Sequence, residues 1–313
     1  MKLTVRPVAY TPAAPITTAW GTLERRDVLR VRLDFPDGTS GEGEAAPLEP
    51  YDGVSLAAVT AALDAYARVL ETAPEDPLAA CRAERDLPQA LAAIDLALWD
   101  RRSRQANLPL ARLLNPDAAT SVRVNAVIGA TDRTGAARAA AAAVAAGFGC
   151  LKVKVGVGDD AGRLAAVRAA AGPDVLLRAD ANGAWTTPEE ALANLRALAP
   201  IGLELCEEPV HGVEALRAVA AASPIPIAMD ETNAPASGAT PLVCLKISRG
   251  GISQVLADAR EGAYLASTFD GPLGVAAAVH VAAALGIRRH CGLTPLSGPH
   301  EPTIIVPSVP GLA

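Results

Sequence analysis

The stretch Leu176-Leu-Arg-Ala-Asp-Ala-Asn-Gly-Ala-Trp185 decides the fold and holds the first candidate site residue. Its apolar run ends in a polar turn at Gly183, which predicts a buried strand followed by a turn, because glycine reaches backbone angles that other residues avoid. Side chains alternate along a strand, so Arg178, Asp180 and Asn182 share one face. Charged and amide groups are costly at the end of a buried strand unless they serve one another or a ligand. Asp180 is therefore predicted to hold a metal ion.

An alternation of strands and helices surrounds this stretch. Further strands are predicted at residues 122–128, 150–155, 203–207, 225–229, 242–247 and 263–267. Seven or eight parallel strands with crossover helices predict a TIM-like barrel, in which the active site lies at the carboxyl ends of the strands. Residues 232–243 contain Pro235, Gly238 and Pro241 and are short for a crossover, so one barrel helix is predicted to be shortened or missing.

Residues 1 to about 115 have a different pattern. Extended runs at 3–10 and 28–35, the second ending at the turn Pro36-Asp37-Gly38, predict antiparallel strands, and helical spacing begins at Ser55. The tail at 286–313 is rich in Gly and Pro and is predicted to run back over this unit without adding a strand. The sequence thus predicts an α/β protein, with a modified TIM barrel of the (β/α)7β type at 116–285 and an α+β unit formed by 1–115 and 286–313.

The composition argues against several classes of partner. The 313 residues carry a net charge of −6 and show no basic stripe, so neither a nucleic-acid partner nor a membrane is predicted. The first residues lack the apolar segment of a secretion signal, and no stretch is apolar for long enough to cross a bilayer, which predicts a cytoplasmic protein. The five cysteines, at 81, 150, 206, 244 and 291, fit reduced core thiols better than disulfides or a zinc site. The sequence leaves the oligomeric state open, and a monomer is compatible with it.

Charged residues recur at the ends of the predicted strands. They are Lys152 and Lys154, Asp180, Glu207 and Glu208, Asp230 and Glu231, and Lys246. Three carboxylates from three successive strand ends suit Mg²⁺, with Mn²⁺ as a substitute, because both ions accept oxygen ligands. Neighbouring like charges disfavour protonation of both groups, so one of Lys152 and Lys154 is a candidate neutral base. Lys246 approaches from the opposite side of the barrel mouth, so a substrate would lie between lysines.

Six short motifs contain or accompany these residues. They are Leu-Lys-Val-Lys-Val-Gly at 151–156, Arg-Ala-Asp-Ala-Asn-Gly at 178–183, Glu-Glu-Pro at 207–209, Met-Asp-Glu at 229–231, Leu-Lys-Ile at 245–247 and Ala-Ile-Asp-Leu-Ala-Leu-Trp-Asp at 93–100. As a set they resemble the enolase superfamily, specifically its muconate-lactonizing-enzyme subgroup. The resemblance implies that the α+β unit is a capping domain over the barrel.

The same resemblance implies a role for each of the strand-end residues. Asp180, Glu207 and Asp230 would be the Mg²⁺ ligands. Lys154 would be the catalytic base, Lys152 its electrostatic neighbour and Lys246 the second lysine. The reaction would remove the proton α to the carboxylate of a small-molecule substrate and form an enolate, whose charge the metal and the lysines would stabilise.

Within the subgroup the chain looks most like the o-succinylbenzoate synthases of menaquinone biosynthesis, because it is short and has Arg178 and the stretch Ser267-Thr268-Phe269-Asp270. The expected reaction is the dehydration of 2-succinyl-6-hydroxy-2,4-cyclohexadiene-1-carboxylate to 2-succinylbenzoate, which would make the protein a carbon-oxygen lyase. The backbone at Gly271 opens a predicted helix and would bind a succinyl carboxylate. The expected residues around the substrate or behind the metal ligands are Arg178, Asn182, Glu208, Glu231, Ser267, Asp270 and Gly271, with Thr18 and Trp20 from a loop of the cap.

Two other functions compete with this one. The first is a dipeptide epimerase or N-succinylamino acid racemase of the same subgroup, in which Lys154 and Lys246 would exchange protons on opposite faces of the substrate. The resemblance implies that a dipeptide epimerase carries an Asp-x-Asp pair near its last strands, and residues 267–270 show no such pair. The second is a catalytically silent barrel that serves as a binding module. It predicts lost ligands or lysines, and none is lost.

Overall fold

The computed structural model describes residues 1–12, 16–18, 21–296 and 299–312, with the backbone alone at 16–18 and 21. The strands are β1 (Lys2–Tyr10), β2 (Ile16–Thr18), β3 (Gly21–Leu23), β4 (Arg26–Asp34), β5 (Ser40–Ala45), β6 (Ser121–Arg123), β7 (Ala126–Ile128), β8 (Cys150–Lys154), β9 (Leu176–Asp180), β10 (Leu205–Glu207), β11 (Ile227–Met229), β12 (Leu242–Leu245), β13 (Ala263–Leu265) and β14 (Thr303–Ile305). The α-helices are α1 (Glu49–Asp52), α2 (Leu56–Glu71), α3 (Pro77–Glu84), α4 (Pro88–Ala106), α5 (Leu110–Leu114), α6 (Arg133–Ala145), α7 (Asp160–Ala171), α8 (Pro188–Leu198), α9 (Val213–Ala222), α10 (Gly251–Asp258) and α11 (Pro272–Ala284). Single 3₁₀ turns lie at Ala199–Ile201, Pro235–Ser237 and Ile247–Arg249.

A parallel sheet forms the barrel wall, with its strands in the order β7-β8-β9-β10-β11-β12-β13. Isolated parallel bridges pair Cys291 with Val124 and Gly292 with Ala266, so a short segment of the tail joins the two edges of this sheet. Between β11 and β12 the chain makes only the 3₁₀ turn Pro235–Ser237. The predicted fold, a modified barrel with one crossover helix missing and an amino-terminal cap, is confirmed.

The tail contributes more to the barrel than the sequence predicts. Residues 303–305 form β14, which pairs antiparallel with β6, so the prediction that the tail adds no strand is wrong. Its last described residues do return to the cap, because the backbone N–H of Leu312 donates to Asp100 at 2.9 Å. A Gly and Pro content that predicts a loop does not exclude short pairings that the fold supplies from elsewhere in the chain.

The cap packs on the barrel through helix α4. A Cβ atom at Gly41 would lie 1.9 Å from the carbonyl oxygen of Ala97, and one at Gly43 would lie 2.0 Å from that of Ala93, so β5 lies directly on the α4 backbone. On the other side of α4, Asp95 accepts a hydrogen bond of 2.9 Å from the backbone of Ser253 in α10. The cap is thereby fixed over the barrel. No helix within the described ranges is long and apolar enough to cross a membrane.

Candidate active site

The strand-end residues meet at one edge of the barrel sheet. Lys154, Asp180 and Glu207 are the last residues of β8, β9 and β10, and the strand register pairs Lys154 with Asp180 and Asp180 with Glu207. Asp230 follows β11 directly and Lys246 follows β12. Because adjacent parallel strands end at the same edge, the three carboxylates lie between a lysine on each side.

Ion pairs connect the lysines of β8 to the first two carboxylates. The Nζ atom of Lys152 lies 2.9 Å from Asp180 Oδ2 and 2.8 Å from Glu207 Oε2, and Lys154 Nζ lies 2.7 Å from the same Asp180 oxygen. Burial opposes ionisation of Asp180, but the charges of Lys152 and Lys154 outweigh it and lower its pKa. Burial likewise opposes the Lys152 ammonium, and the charges of Asp180 and Glu207 raise its pKa. These acids therefore offset the like-charge repulsion from which the sequence predicts a neutral lysine.

The third carboxylate has partners in both the barrel and the cap. Asp230 accepts hydrogen bonds from Lys246 Nζ and, at 3.1 Å, from the hydroxyl of Tyr51 in α1, and Arg249 Nη1 lies 3.5 Å from it. Burial opposes the charged form of Lys246, but Asp230 outweighs it and raises the pKa of that lysine. Sequence reasoning missed Tyr51 and Arg249. Arg249 follows the Leu-Lys-Ile motif by two residues, whereas nothing around Tyr51 indicates a role.

Glu208 and Asn182 hold the residues of the site in place. Glu208 is fully buried and accepts hydrogen bonds from the backbone N–H groups of Asp230, at 2.8 Å, and Thr232, at 2.9 Å. It therefore fixes the loop that carries Asp230. Asn182 accepts a bond of 2.6 Å from Lys154 and donates one of 2.7 Å to Glu231, which joins the two sides of the site. Burial, then the charges of Asp230 and Asp180, raises the pKa of Glu231 to about 8.

Arg178 lies deeper in the barrel than the other candidates. Its Nε donates to Glu204 at 2.7 Å, and its Nη1 donates to the carbonyl oxygen of His290 at the same distance. Glu204 precedes β10, so the guanidinium points toward the amino ends of the strands while Asp180 lies at the carboxyl end. The alternation that puts Arg178 and Asp180 on one face also separates them by two residues along the strand. The structure therefore does not bring Arg178 to the row of carboxylates.

The loop between β13 and α11 faces the cap. Asp270 is buried and accepts a hydrogen bond of 2.8 Å from the hydroxyl of Thr268. The backbone N–H of Gly271, expected to bind a substrate carboxylate, donates instead to Glu44 Oε1 at 2.6 Å. Ser267 is half-buried and its backbone N–H bonds to Gly292. The expected contacts Thr18, as a side chain, and Trp20 lie outside the described residues.

Glu44, at the junction of cap and barrel, is predicted to make the stability of the protein depend on pH. Its Oε2 and the Oδ2 of Asp270 are buried and have no partner among the described atoms. Burial, then the charge of Asp270, raises the pKa of Glu44 from 4.5 to about 7. A carboxyl group whose pKa is raised by folding stabilises the folded protein at a pH below its ordinary pKa. This stabilisation is lost as the pH rises through the raised pKa, about 7 for Glu44. Glu44→Gln keeps the acceptor for Gly271 without ionising, so relative to wild type it should gain about 3 kcal/mol of unfolding free energy between pH 4 and pH 9.

Urea unfolding at both pH values measures this gain. The matched control is Glu49→Gln, which removes the same charge from an exposed position of α1. Its unfolding free energy relative to wild type should differ little between pH 4 and pH 9. An equal effect of Glu44→Gln at pH 4 and pH 9 would contradict the interpretation.

The donor set at the barrel mouth fits a divalent cation. Asp180, Glu207 and Asp230 are buried carboxylates, and each is held by a cationic side chain of the protein. Oxygens of Glu207 and Asp230 lie within 4.8 Å of each other and of the Cys244 sulfur. Hard carboxylate oxygens at adjacent strand ends are the ligands that Mg²⁺ takes in proteins.

The chain matches two family models and is similar to several known proteins. Residues 135–310 match the model described as enolase C-terminal domain-like, and residues 1–115 match the N-terminal domain of mandelate racemase / muconate lactonizing enzyme. A hydrophobic dipeptide epimerase of Enterococcus faecalis is 33% identical over 72% of this chain and 66% of its own length, just under two thirds. An N-succinyl-L-Arg/Lys racemase of Bacillus cereus is 30% identical over 46% of this chain and 40% of its own length.

Two solved structures are similar over the whole chain. The substrate-liganded L-Ala-D/L-Glu epimerase of Bacillus subtilis has a TM-score of 0.85 and 27% identity, over 100% of this chain and 98% of its own. The Enterococcus faecalis dipeptide epimerase complexed with Mg and the dipeptide L-Leu-L-Tyr has a TM-score of 0.86 and 25% identity, over 99% of this chain and 98% of its own.

These findings overturn the prediction of an o-succinylbenzoate synthase. The relatives include dipeptide epimerases, an N-succinyl-L-Arg/Lys racemase and a D-galactarolactone cycloisomerase, all of which are isomerases. The prediction of a carbon-oxygen lyase of menaquinone biosynthesis is therefore wrong. The error has a physical cause: the lysines and carboxylates predict removal of an α-proton, and this step is common to elimination and epimerisation. The motifs, the fold and both matched models nevertheless agree with one another. The chain therefore belongs to the mandelate racemase / muconate lactonizing enzyme family of the enolase superfamily.

Proposed function

We propose that this protein epimerises the α-carbon of a dipeptide by moving protons between Lys154 and Lys246. The observation that carries the proposal is the order of groups at the barrel mouth, a lysine at each end with three carboxylates between them. A substrate whose carboxylate lies at the centre of this row exposes one face of its α-carbon to each lysine. The dipeptide epimerases among the relatives and structural neighbours support the choice of reaction.

Mg²⁺ is the cofactor, as the sequence predicts. In our proposal Asp180, Glu207 and Asp230 hold it. Bound there, Mg²⁺ supplies positive charge that stabilises the negative charge developing on the substrate carboxylate as the α-proton leaves. Lys152, which lies between Asp180 and Glu207, adds a second positive charge beside that carboxylate.

The two lysines divide the proton transfers. Lys154 Nζ accepts the α-proton from one face, and the electron pair of the C–H bond moves onto the substrate carboxylate. Lys246 Nζ donates a proton to the other face, which inverts the configuration without net gain or loss of atoms. Asn182 accepts a hydrogen bond from Lys154 and so positions this amine. In the reverse direction the lysines exchange roles.

An N-succinylamino acid is the second candidate substrate, and the loop between β13 and α11 favours it. The free amine of a dipeptide is charged and needs a carboxylate partner. Asp270, the acid of this loop, is 1% exposed and faces Thr268 and the cap. An amide nitrogen carries no charge and does not require that partner. Because Asp270 is turned away from the row of carboxylates, racemisation of N-acylated amino acids is the alternative function.

Isotope exchange tests both candidates. Purified protein with Mg²⁺ in D₂O is incubated with a panel of L,L-dipeptides and, separately, with N-succinyl-L-amino acids. We expect deuterium at the α-carbon together with the inverted stereoisomer in one panel, and loss of both signals when a chelator removes the metal. Deuterium and inversion should appear together because each inversion delivers a solvent-derived proton. Absence of exchange in both panels would refute the proposal.

A further inference from the structure

Cys244 lies inside the site, although the sequence predicts only a buried core thiol. It precedes Lys246 by two residues, so strand alternation turns both side chains into the barrel. Lys246 Nζ lies 3.6 Å from the Cys244 sulfur. This sulfur and carboxylate oxygens of Glu207 and Asp230 all lie within 4.8 Å of one another, and all three residues are buried. No other cysteine in the described part of the chain belongs to such a group.

A buried hydroxyl on the strand beside Cys244 has no protein partner within the described residues. Tyr264 on β13 pairs in register with Cys244 and is fully buried, yet its hydroxyl has no hydrogen-bond partner among the described atoms. Burial, then the charges of Glu207 and Cys244, raises the pKa of Tyr264. A buried hydroxyl without a partner is costly and is ordinarily satisfied by a ligand or a water.

We propose that Glu207, Asp230 and Cys244 form a site for thiophilic divalent ions such as Zn²⁺ and Co²⁺. Two carboxylate oxygens and one thiolate sulfur are a mixed donor set that these ions accept, with distances of about 2.0–2.2 Å to oxygen and about 2.3 Å to sulfur. Mg²⁺ takes oxygen ligands, so sulfur distinguishes the two classes of ion. On binding, a metal–sulfur bond replaces the S–H bond, and the thiol proton passes to solvent.

Such an ion would displace Lys246. The ammonium of Lys246 contacts both Asp230 and Cys244, which are two of the three ligands. A metal ion bound to Asp230 and Cys244 would replace Lys246 as the partner of these two side chains, and its charge would repel the Lys246 ammonium. Thiophilic ions should therefore inhibit turnover. This consequence rests on the proposed function, whereas the binding site itself does not.

Cobalt absorption tests the site without an activity measurement. Co²⁺ bound to a thiolate shows a sulfur-to-metal charge-transfer band in the near ultraviolet, and Co²⁺ bound to oxygen alone does not. Metal-free wild-type protein titrated with Co²⁺ should show this band, and Cys244→Ser should not. Cys206→Ser is the matched control because Cys206 adjoins Glu207 on β10 but points to the opposite face of the strand. It should keep the band.

Zinc affinity gives a second readout. In competition with a chromophoric chelator, Cys244→Ser should bind Zn²⁺ at least about tenfold more weakly than wild type, and Mg²⁺ affinity should stay within about twofold. Cys244→Ala serves as a second variant, with circular dichroism confirming the fold of each protein. A wild-type Co²⁺ complex without the sulfur band, or a band that survives in both Cys244 variants, would overturn the proposal. These outcomes do not depend on whether the protein epimerises a dipeptide.

Discussion

Replacement of Lys246 by alanine is expected to slow epimerisation strongly while one stereoisomer of the substrate still exchanges its α-proton with solvent. In the proposed reaction each lysine faces one side of the α-carbon, so Lys154 should still remove and return the proton on its own side. A positioned general acid or base typically contributes 10²–10⁴-fold, and loss of Lys246 should slow inversion by about 10³-fold. The measurement is the rate of deuterium incorporation into each stereoisomer in D₂O, beside the rate of inversion.

The reciprocal variant completes this prediction. Lys154→Ala should lose inversion to a similar extent and exchange only the opposite stereoisomer, because Lys246 remains on the other face. Lys2→Ala, which removes an exposed lysine of the cap, is the control and should match wild type in every rate. If either site variant exchanged both stereoisomers, a single base would serve both faces and the assignment of two lysines would be wrong.

The architecture was predictable where local signals and the fold agree. Thr187 accepts a hydrogen bond from the backbone of Glu190 and Pro188 opens α8, so Thr-Pro at 187–188 is a local signal for this helix start. Pro235 and Gly238 disfavour a helix between β11 and β12, and the chain makes only one 3₁₀ turn there. The pairing of the tail with β6 and with the barrel edges was not predictable, because it depends on strands far away in sequence.

The residues that the barrel contributes to the candidate site were predictable from the sequence, whereas those that the cap contributes were not. The lysines and carboxylates follow strands, and parallel strands deliver their ends to one edge, so periodicity alone brings these residues together. Tyr51 and Glu44 reach the site from the cap, and their contacts exist only after two separate units have packed. The class of reaction, elimination or epimerisation, was not predictable either. In the proposed reaction, proton removal depends on residues that the motifs contain, whereas the fate of the enolate depends on the substrate.

Asp230→Asn is expected to destabilise the metal-free protein by about 3 kcal/mol or more, as is typical when one partner of a buried ion pair is removed. The side chains of Lys246 and Arg249 are 4% and 9% exposed, so their charges would stay buried without a carboxylate. Asparagine keeps the shape and one acceptor, which limits the effect to the loss of charge. Urea unfolding in the presence of a chelator measures the change, with exposed Asp174→Asn as the control.

A second substitution separates charge from packing in this prediction. In the Asp230→Asn background, Lys246→Met removes one of the two uncompensated cations and keeps the length of the side chain. Since a buried pair replaced by neutral groups is often as stable as the pair itself, the double variant should regain a large part of the lost stability. Residues in contact couple in this way, whereas independent sites add. If the two losses simply added, the ion pair between Asp230 and Lys246 would not be the source of the destabilisation.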